Sequence, residues 1–415
     1  MEKLDFNGWQ SYSLQKNDLQ VCITPQLGGR IMKLSFDGYN YLFVNPNLIG
    51  KDNIQPTQGW DKTWQNFGGE KVWPAPQGWS GKQEWPGPPD PILDGGFYKA
   101  DIVDENSIRL TSPADKFTSL QIERLIQIDS QGVNIKASFR NIGRRKIAWS
   151  IWPVIQLNTP DDQDDIYRIT IPVNSNSIYG RGYKVMHGLV NNPQYKVEGD
   201  NVVVDCKYLI GKIGLDSDAG WVAFCDRSCG KVLIAEYTYY PGAEYPQDTS
   251  VQIWNQGRGM FYSRNTIRIL EDNRNTNPSY SEVELLSPIQ QIEPGNTIDF
   301  DYRLKVCTIP SRRTVTCVNK YAVIADRLSI DIKSGTVLIS GSYGFFENGY
   351  IQLKIEYDNR VEVITDKWSV SPLRGLMLEG RVAQSVLKEA QQLILEFIDM
   401  QENIFIIERK IICKI

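Results

Sequence analysis

Apolar and polar residues alternate with a period of two along most of this chain, the signature of strands that bury one face. Val133, Ile135, Ala137 and Phe139 point one way, while Asn134, Lys136, Ser138 and Arg140 point the other. The turn residues Asp129-Ser130-Gln131-Gly132 join this strand to Leu120–Ile128, and Asn141-Ile142-Gly143 join it to a run at Lys146–Trp152. The same pattern predicts strands at Leu19–Thr24, Arg30–Phe36, Tyr41–Val44, Val202–Asp205, Gly220–Cys225, Val232–Tyr237, Val251–Trp254, Ser281–Leu286 and Thr297–Val306. None of this stretch carries helical periodicity. Roughly fifteen or more short strands separated by turn signals predict an all-β chain built as a large antiparallel sandwich or barrel.

The alternation pauses at Thr308-Ile309-Pro310-Ser311-Arg312-Arg313 and then restarts. This predicts two domains, a large β domain over 1–308 and a small immunoglobulin-like β-sandwich over 314–415. In the second, Thr336–Ser340, Ile351–Tyr357, Val361–Thr365, Leu393–Ile398 and Ile404–Glu408 alternate, with at most one short helix around Ala383–Gln392. No candidate site falls in it, so its expected role is packing or contact between copies of the chain.

The segment from Trp60 to Tyr98 breaks the pattern. It holds Trp60, Trp64, Trp73, Trp79 and Trp85 of the 11 tryptophans, and Pro74, Pro76, Pro86, Pro88, Pro89 and Pro91 of the 21 prolines. Proline lacks the ladder N–H and fixes φ, so the composition predicts a long ordered loop rather than a helix or a central strand. Aromatic faces suit the C–H faces of sugar rings, carboxylates and a lysine suit hydroxyls, and a stiff loop loses little entropy on binding. Lys71, Trp73, Trp79, Trp85, Asp90, Asp94 and Tyr98 are therefore candidate substrate-binding residues. The competing reading is a structural lid whose tryptophans cap one end of the sandwich.

Glu282 and Glu284 stand at i and i+2 in YSEVELLSP. On a strand both project from one face, about 6–7 Å apart. If that face is concave and dry, mutual repulsion raises one pKa and makes a proton acceptor or donor; if it faces water, the two are ordinary solvated glutamates.

Charge and composition narrow the classes. The formal net charge is −4, from 45 basic and 49 acidic residues without a basic run, which argues against a nucleic acid or an anionic membrane as partner. No apolar run is long enough to span a bilayer. The start, MEKLDFNGWQ, lacks a basic region followed by an apolar one, and the seven cysteines are odd in number and scattered, so a reducing, cytoplasmic setting is expected. The single histidine, His187 in GRGYKVMHGLV, rules out multi-histidine metal sites and leaves any histidine relay to that one residue. His187 is a candidate general acid, weighed against the structural role that lone histidines more often have. Cys225 and Cys229, in CDRSC, lack a second pair at metal-binding spacing. No metal and no cofactor are expected.

Several segments together carry a family resemblance. VCITPQLGGRIMKLSFDGYNYLF resembles the first hairpin of the galactose mutarotase-like superfamily, and YSEVELLSPIQQIEPGNTIDFDYRL its last strands. SFRNIGRRKIAWSIWPVIQL resembles the strand pair that carries a catalytic histidine in aldose 1-epimerases. With FGGEKVWPAPQGW and PPDPILDGGFY, these segments extend the resemblance over about residues 1–308. It implies a β-supersandwich with a sugar-binding groove across one sheet, where a glutamate takes the anomeric hydroxyl proton and a histidine protonates the ring oxygen. That glutamate matches Glu284, with Glu282 the other choice. The histidine has no match: the sequence there reads Trp149-Ser150-Ile151-Trp152-Pro153. His187, Lys71 or a tyrosine would have to act as the acid, and Trp152 joins the substrate-binding candidates. The expected function is binding of a sugar or sugar-like ring, as a small molecule or an oligosaccharide, with epimerase or mutarotase chemistry on a glutamate base. A carbohydrate-binding protein without catalysis, and a lyase or cyclase in the same groove, are the other two readings.

Overall fold

In a computed structural model of the chain, residues 1–52, 64–81, 83–160, 166–263, 266–333 and 335–412 are described. The chain is all-β, built from antiparallel ladders with a few single-turn 3₁₀ segments. It packs as two compact units. The first comprises Met1–Asp165, Ile171–Val222 and Ala235–Leu304; the second comprises Ile166–Thr170, Ala223–Ile234 and Lys305–Ile415. The main piece of the second unit thus opens close to the pause at Thr308–Arg313. It also takes in two short earlier segments that no change in composition marks.

In the second unit, Cys317–Val318, Ala322–Lys333, Thr336–Phe345 and Leu376–Ala383 form one sheet, and Val361–Val363, Gly349–Tyr357, Ala390–Asp399 and Ile404–Ile411 form another, joined by Trp368–Val370. Both sheets feed one apolar core, which includes Tyr343, Phe345, Leu353, Leu395 and Phe397. The short helix expected near Ala383–Gln392 is a 3₁₀ turn, Gln384–Leu387.

The first unit is organised around one broad sheet. Its central strands are β1 (Arg30–Phe36), β2 (Glu70–Ala75), β3 (Ile147–Leu157), β4 (Lys184–Gly188), β5 (Gly211–Leu215), β6 (Val251–Gln256) and β7 (Tyr280–Leu285). They lie in the spatial order β1-β2-β3-β7-β6-β5-β4, with Leu19–Thr24, Trp9–Lys16 and Glu2–Phe6 continuing beyond β1. Directly paired residues share a face, so the register assigns each side chain to one side of the sheet. One side carries Val72, Ile151, Ile155, Val283, Leu285 and Ile253, all buried apolar residues. It packs on a second sheet that includes Leu120–Ile128, Gly132–Asn141 and Thr297–Thr308. A buried polar clasp joins the two layers: Glu70 of β2 accepts from Arg124 and from Tyr302 (2.5 Å), and Arg124 also donates to Gly29 O at 2.6 Å.

The structure corrects the sequence reading on β2. Residues 70–75, proline included, form a central strand rather than part of a loop. Pro74 is opposite Ile151, whose N–H and C=O both engage Ser287 on the far side of β3, so the two residues form a non-hydrogen-bonded pair. The N–H that proline lacks would have pointed toward β1, which pairs with β2 only at Glu70. The missing donor therefore breaks no ladder bond. The run at Tyr41–Val44 is likewise not a ladder strand; it touches the sheet through single bridges at Leu42 and Val44.

Candidate functional site

The other side of the same strands carries polar and aromatic side chains where a core would carry apolar ones. Across the sheet, one row of direct neighbours reads Lys71, Val154, Glu284, Gln252. The next reads Gln156, Glu282, Trp254, Lys212, His187. Trp73 and Trp152 pair on the opposite flank of the first row. Glu282 and Glu284 thus share a face, as their spacing predicts, and that face is closed: the residues are 7% and 1% exposed.

Each carboxylate has a different environment. Glu284 Oε2 accepts from Lys212 Nζ at 2.8 Å and from the Trp152 indole at 2.9 Å. Burial raises its pKa well above the usual carboxylate range, and the Glu282 charge adds to the rise while Lys212 opposes it. Glu282 Oε1 accepts from Gln156 at 2.5 Å and lies 3.9 Å from Lys71 Nζ. The Lys71 amine is buried, sits over the Trp73 ring at 4.7 Å, and makes no hydrogen bond among the described residues. Burial, helped by the Arg30 charge, lowers its pKa to about 7 against the pull of Glu282, Asp94 and Glu284.

The polypeptide beyond β2 holds the indoles in place. Trp73 lies within ring-contact distance of Trp64 (6.0 Å), Trp85 (5.2 Å) and Trp152 (5.5 Å). Asp94 anchors two of them, accepting from Trp73 (3.0 Å) and Arg30 (2.5 Å) on Oδ1 and from Trp64 (2.8 Å) on Oδ2. Asp90 accepts from Trp85 at 2.7 Å and from the backbone N–H groups of Ile92 and Leu93 at 2.8 Å each. Its burial pushes the pKa up to about 6. The buried Tyr98 hydroxyl donates to Leu93 O. The Gly28-Gly29 bend before β1 explains why this segment packs so closely. Both residues have positive φ, and a Cβ on Gly28 would lie 2.0 Å from Asp94 O.

The structure therefore brings Lys71, Trp73, Trp152, Glu282 and Glu284 together on one face. Asp94 and Trp85 support them, while Asp90 and Tyr98 belong to the base of the loop itself. Trp79 is 46% exposed and donates to Pro86 O. Trp60 is outside the described residues. His187 is on the same face, beside Lys212, with its ring edge-on to Trp254 at 5.9 Å. Burial and the Lys212 charge lower its pKa to about 4.

Sequence reasoning missed Lys212, Arg30 and Gln156. A signal for Lys212 existed in the alternation Lys212, Ile213, Gly214, Leu215, which puts a lysine on the non-core face of a strand. No group of three or more His, Cys, Asp or Glu suited to a metal occurs among the described residues. Cys225 is buried and Cys229 exposed, both as free thiols. Among the described residues no helix is long and apolar enough to cross a membrane.

These features define an all-β protein whose first unit carries a buried cluster of charged and indole side chains on one face of its broad sheet. Residues 10–306 match the family described as "Domain of unknown function (DUF4380)", and the chain belongs to that family. No curated protein matches it. Among solved structures it is similar to a galactose mutarotase-like protein from Lactobacillus casei, at 11% identity and a TM-score of 0.46 over 71% of this chain and 99% of that one. It is also similar to a galactose mutarotase-like protein from Clostridium acetobutylicum (11%, TM-score 0.43, 74% and 98%). A galactose mutarotase related enzyme from Lactobacillus acidophilus is a third such structure (9%, TM-score 0.43, 72% and 97%).

Proposed function

We propose that this chain is a carbohydrate-active protein that holds a sugar or sugar-like ring against Trp73 and Trp152 and interconverts its anomers, in the manner of an aldose epimerase. The observation that carries the reading is a buried lysine, Lys71, that makes no hydrogen bond among the described residues and stands on the same sheet face as the buried Glu284. A protein does not bury a free amine for stability, because the unmade bonds cost free energy. Such a group is better understood as awaiting a ligand.

In this mechanism Glu284 is the base and Lys71 the acid. Lys212 and Trp152 both bind Glu284 Oε2, which leaves Oε1 to take the anomeric hydroxyl proton. As that proton leaves, the Lys71 ammonium gives one to the ring oxygen, the bond from ring oxygen to anomeric carbon breaks, and an open-chain aldehyde forms. Rotation about the adjacent C–C bond and reversal of both transfers yield the other anomer. Both groups are shifted toward the neutral range, where one can accept and the other donate. His187 is uncharged near neutrality and so is a poor proton donor, which favours Lys71 for the role.

Anomer exchange followed by NMR over a panel of aldoses tests this. Glu284→Gln and Lys71→Met should each lower the rate about 10²–10⁴-fold, with circular dichroism unchanged. A Glu284→Gln rate equal to wild type would sink the catalytic reading. Sugar binding without any exchange would leave a binding protein, a second reading favoured by the bond that already joins Glu284 to Lys212.

A further inference from the structure

The same sheet face continues past the carboxylates to a second group of aromatic rings that the proposed reaction does not use. Trp254 of β6 is opposite Glu282 on one side and Lys212 on the other, so it shares their face. Its ring meets Phe261 at 5.4 Å and His187 at 5.9 Å, both nearly edge-on, and Phe261 meets His187 at 6.2 Å. Phe261 comes from the hairpin Gly259–Ser263 and Thr266–Leu270, which follows β6 directly.

The two aromatic groups differ in access. Trp73 and Trp152 are 5% and 4% exposed, whereas Trp254, Phe261 and His187 all retain partial exposure. Beyond them the hairpin turns Met260 and Tyr262 outward. Glu282 and Glu284 lie between the groups, and the Lys212 side chain reaches back to Glu284 from a position between Trp254 and His187. Trp152 and Trp254 are two strands apart across the sheet and four residues apart along it, roughly 17 Å between Cα positions at ordinary strand spacings. One pyranose ring does not span that distance. A ring packed on Trp152 would leave the partly exposed Trp254 uncovered, along with Gln256 beside it, whose amide oxygen accepts from the Trp254 indole at 3.1 Å.

We infer that this face has a second saccharide subsite on Trp254, Phe261 and His187, and that the ligand is a reducing disaccharide or short oligosaccharide rather than a free monosaccharide. Its reducing-end ring, which keeps the free anomeric hydroxyl, occupies the closed end over Trp152, and the following ring stacks at the more open end. Partly open indole and phenyl faces beside hydroxyl-binding polar groups are the surface that a second sugar ring fits. This inference rests on the proposed function, because it assumes that the closed end holds a sugar.

Isothermal titration of the full chain with glucose, galactose, maltose, cellobiose and lactose tests it. At least one disaccharide should bind about tenfold or more tighter than its parent monosaccharides, and Trp254→Ala should bring that ratio close to one. Phe261→Ala, on a partly open side chain of the hairpin, should lower the same ratio and guards against misfolding of the first variant. Equal affinity for monosaccharides and disaccharides in the wild type, or a ratio untouched by both variants, overturns the second subsite while leaving the first. Binding of none of these sugars overturns the proposed function, and the subsite with it.

Discussion

Glu70 and Lys71 are neighbours in the chain, both charged, both buried, and opposite in what surrounds them. Glu70 points between the two sheets and is fully engaged, with Arg124 on one carboxylate oxygen and Tyr302 on the other. Lys71 points to the outer face and has no hydrogen bond among the described residues, with Glu282 no closer than 3.9 Å. One charge is part of the fold's own polar framework. The other makes no hydrogen bond among the described residues, and the proposed reaction is built on that difference.

The largest expected effects lie on the engaged side. Removing one partner of a buried pair strands the other, so Arg124→Met should lower unfolding stability by about 3–5 kcal/mol, read from the denaturation midpoint in urea. Lys71→Met should lie within about 1 kcal/mol of wild type, or be more stable, since it deletes a buried donor that makes no hydrogen bond among the described residues and stands 3.9 Å from its nearest carboxylate partner, Glu282. If the two variants proved equally destabilising, the contrast would collapse.

Next in size is the pH dependence that Lys71 imposes. Its folded value is about 7, against about 10.4 in an unfolded chain. Below pH 7 both states hold the proton and the fold bears the cost of a buried charge. Between about 7 and 10.4 the unfolded state binds more protons, so stability rises with pH across that window. Wild type should therefore gain on Lys71→Met as pH increases from 7 to 10, in parallel urea titrations. Glu284 has the opposite sign. Its folded value is raised, so its cost is present at high pH and disappears as pH falls through that raised value, a trend that Glu284→Gln should abolish.

The same distinction divides the tryptophans. Trp85 is fully buried against Trp73 and bonded to Asp90, so Trp85→Ala should cost about 3–5 kcal/mol. Trp79 is 46% exposed and its indole donates to the Pro86 carbonyl, so Trp79→Ala should cost less than Trp85→Ala, about 1 kcal/mol.

How much of this the sequence disclosed depends on what each feature needs. Leu19–Thr24, Arg30–Phe36 and Leu120–Ile128 are strands with the bounds predicted for them; Leu120–Ile128 alternates in burial as its sequence does, while the first two are buried on nearly every residue. The shared face of Glu282 and Glu284 was legible from their i, i+2 spacing. The strand at Glu70–Ala75 was not, because the cost of Pro74 depends on which neighbour its nitrogen faces, and that is a property of the assembled sheet. Nor was the split within the loop. Asp94 and Trp79 look alike as polar and aromatic candidates, yet one is locked among three donors and the other faces water. Lys212 reaches Glu284 from two strands away, a contact no local motif records.

The alternation of Glu70 and Lys71 also works as a lock on alignment. If β2 slid by one residue against β3, every side chain would change face. Lys71 would then meet the guanidinium of Arg124 between the sheets, and Glu70 would join Glu282 and Glu284 outside. Both new neighbourhoods set like charges together without water. Two adjacent residues of opposite sign thus forbid the nearest wrong pairing of the strand, and the alternation that sends Lys71 to the far face from Glu70 is the same one that keeps the sheet in register.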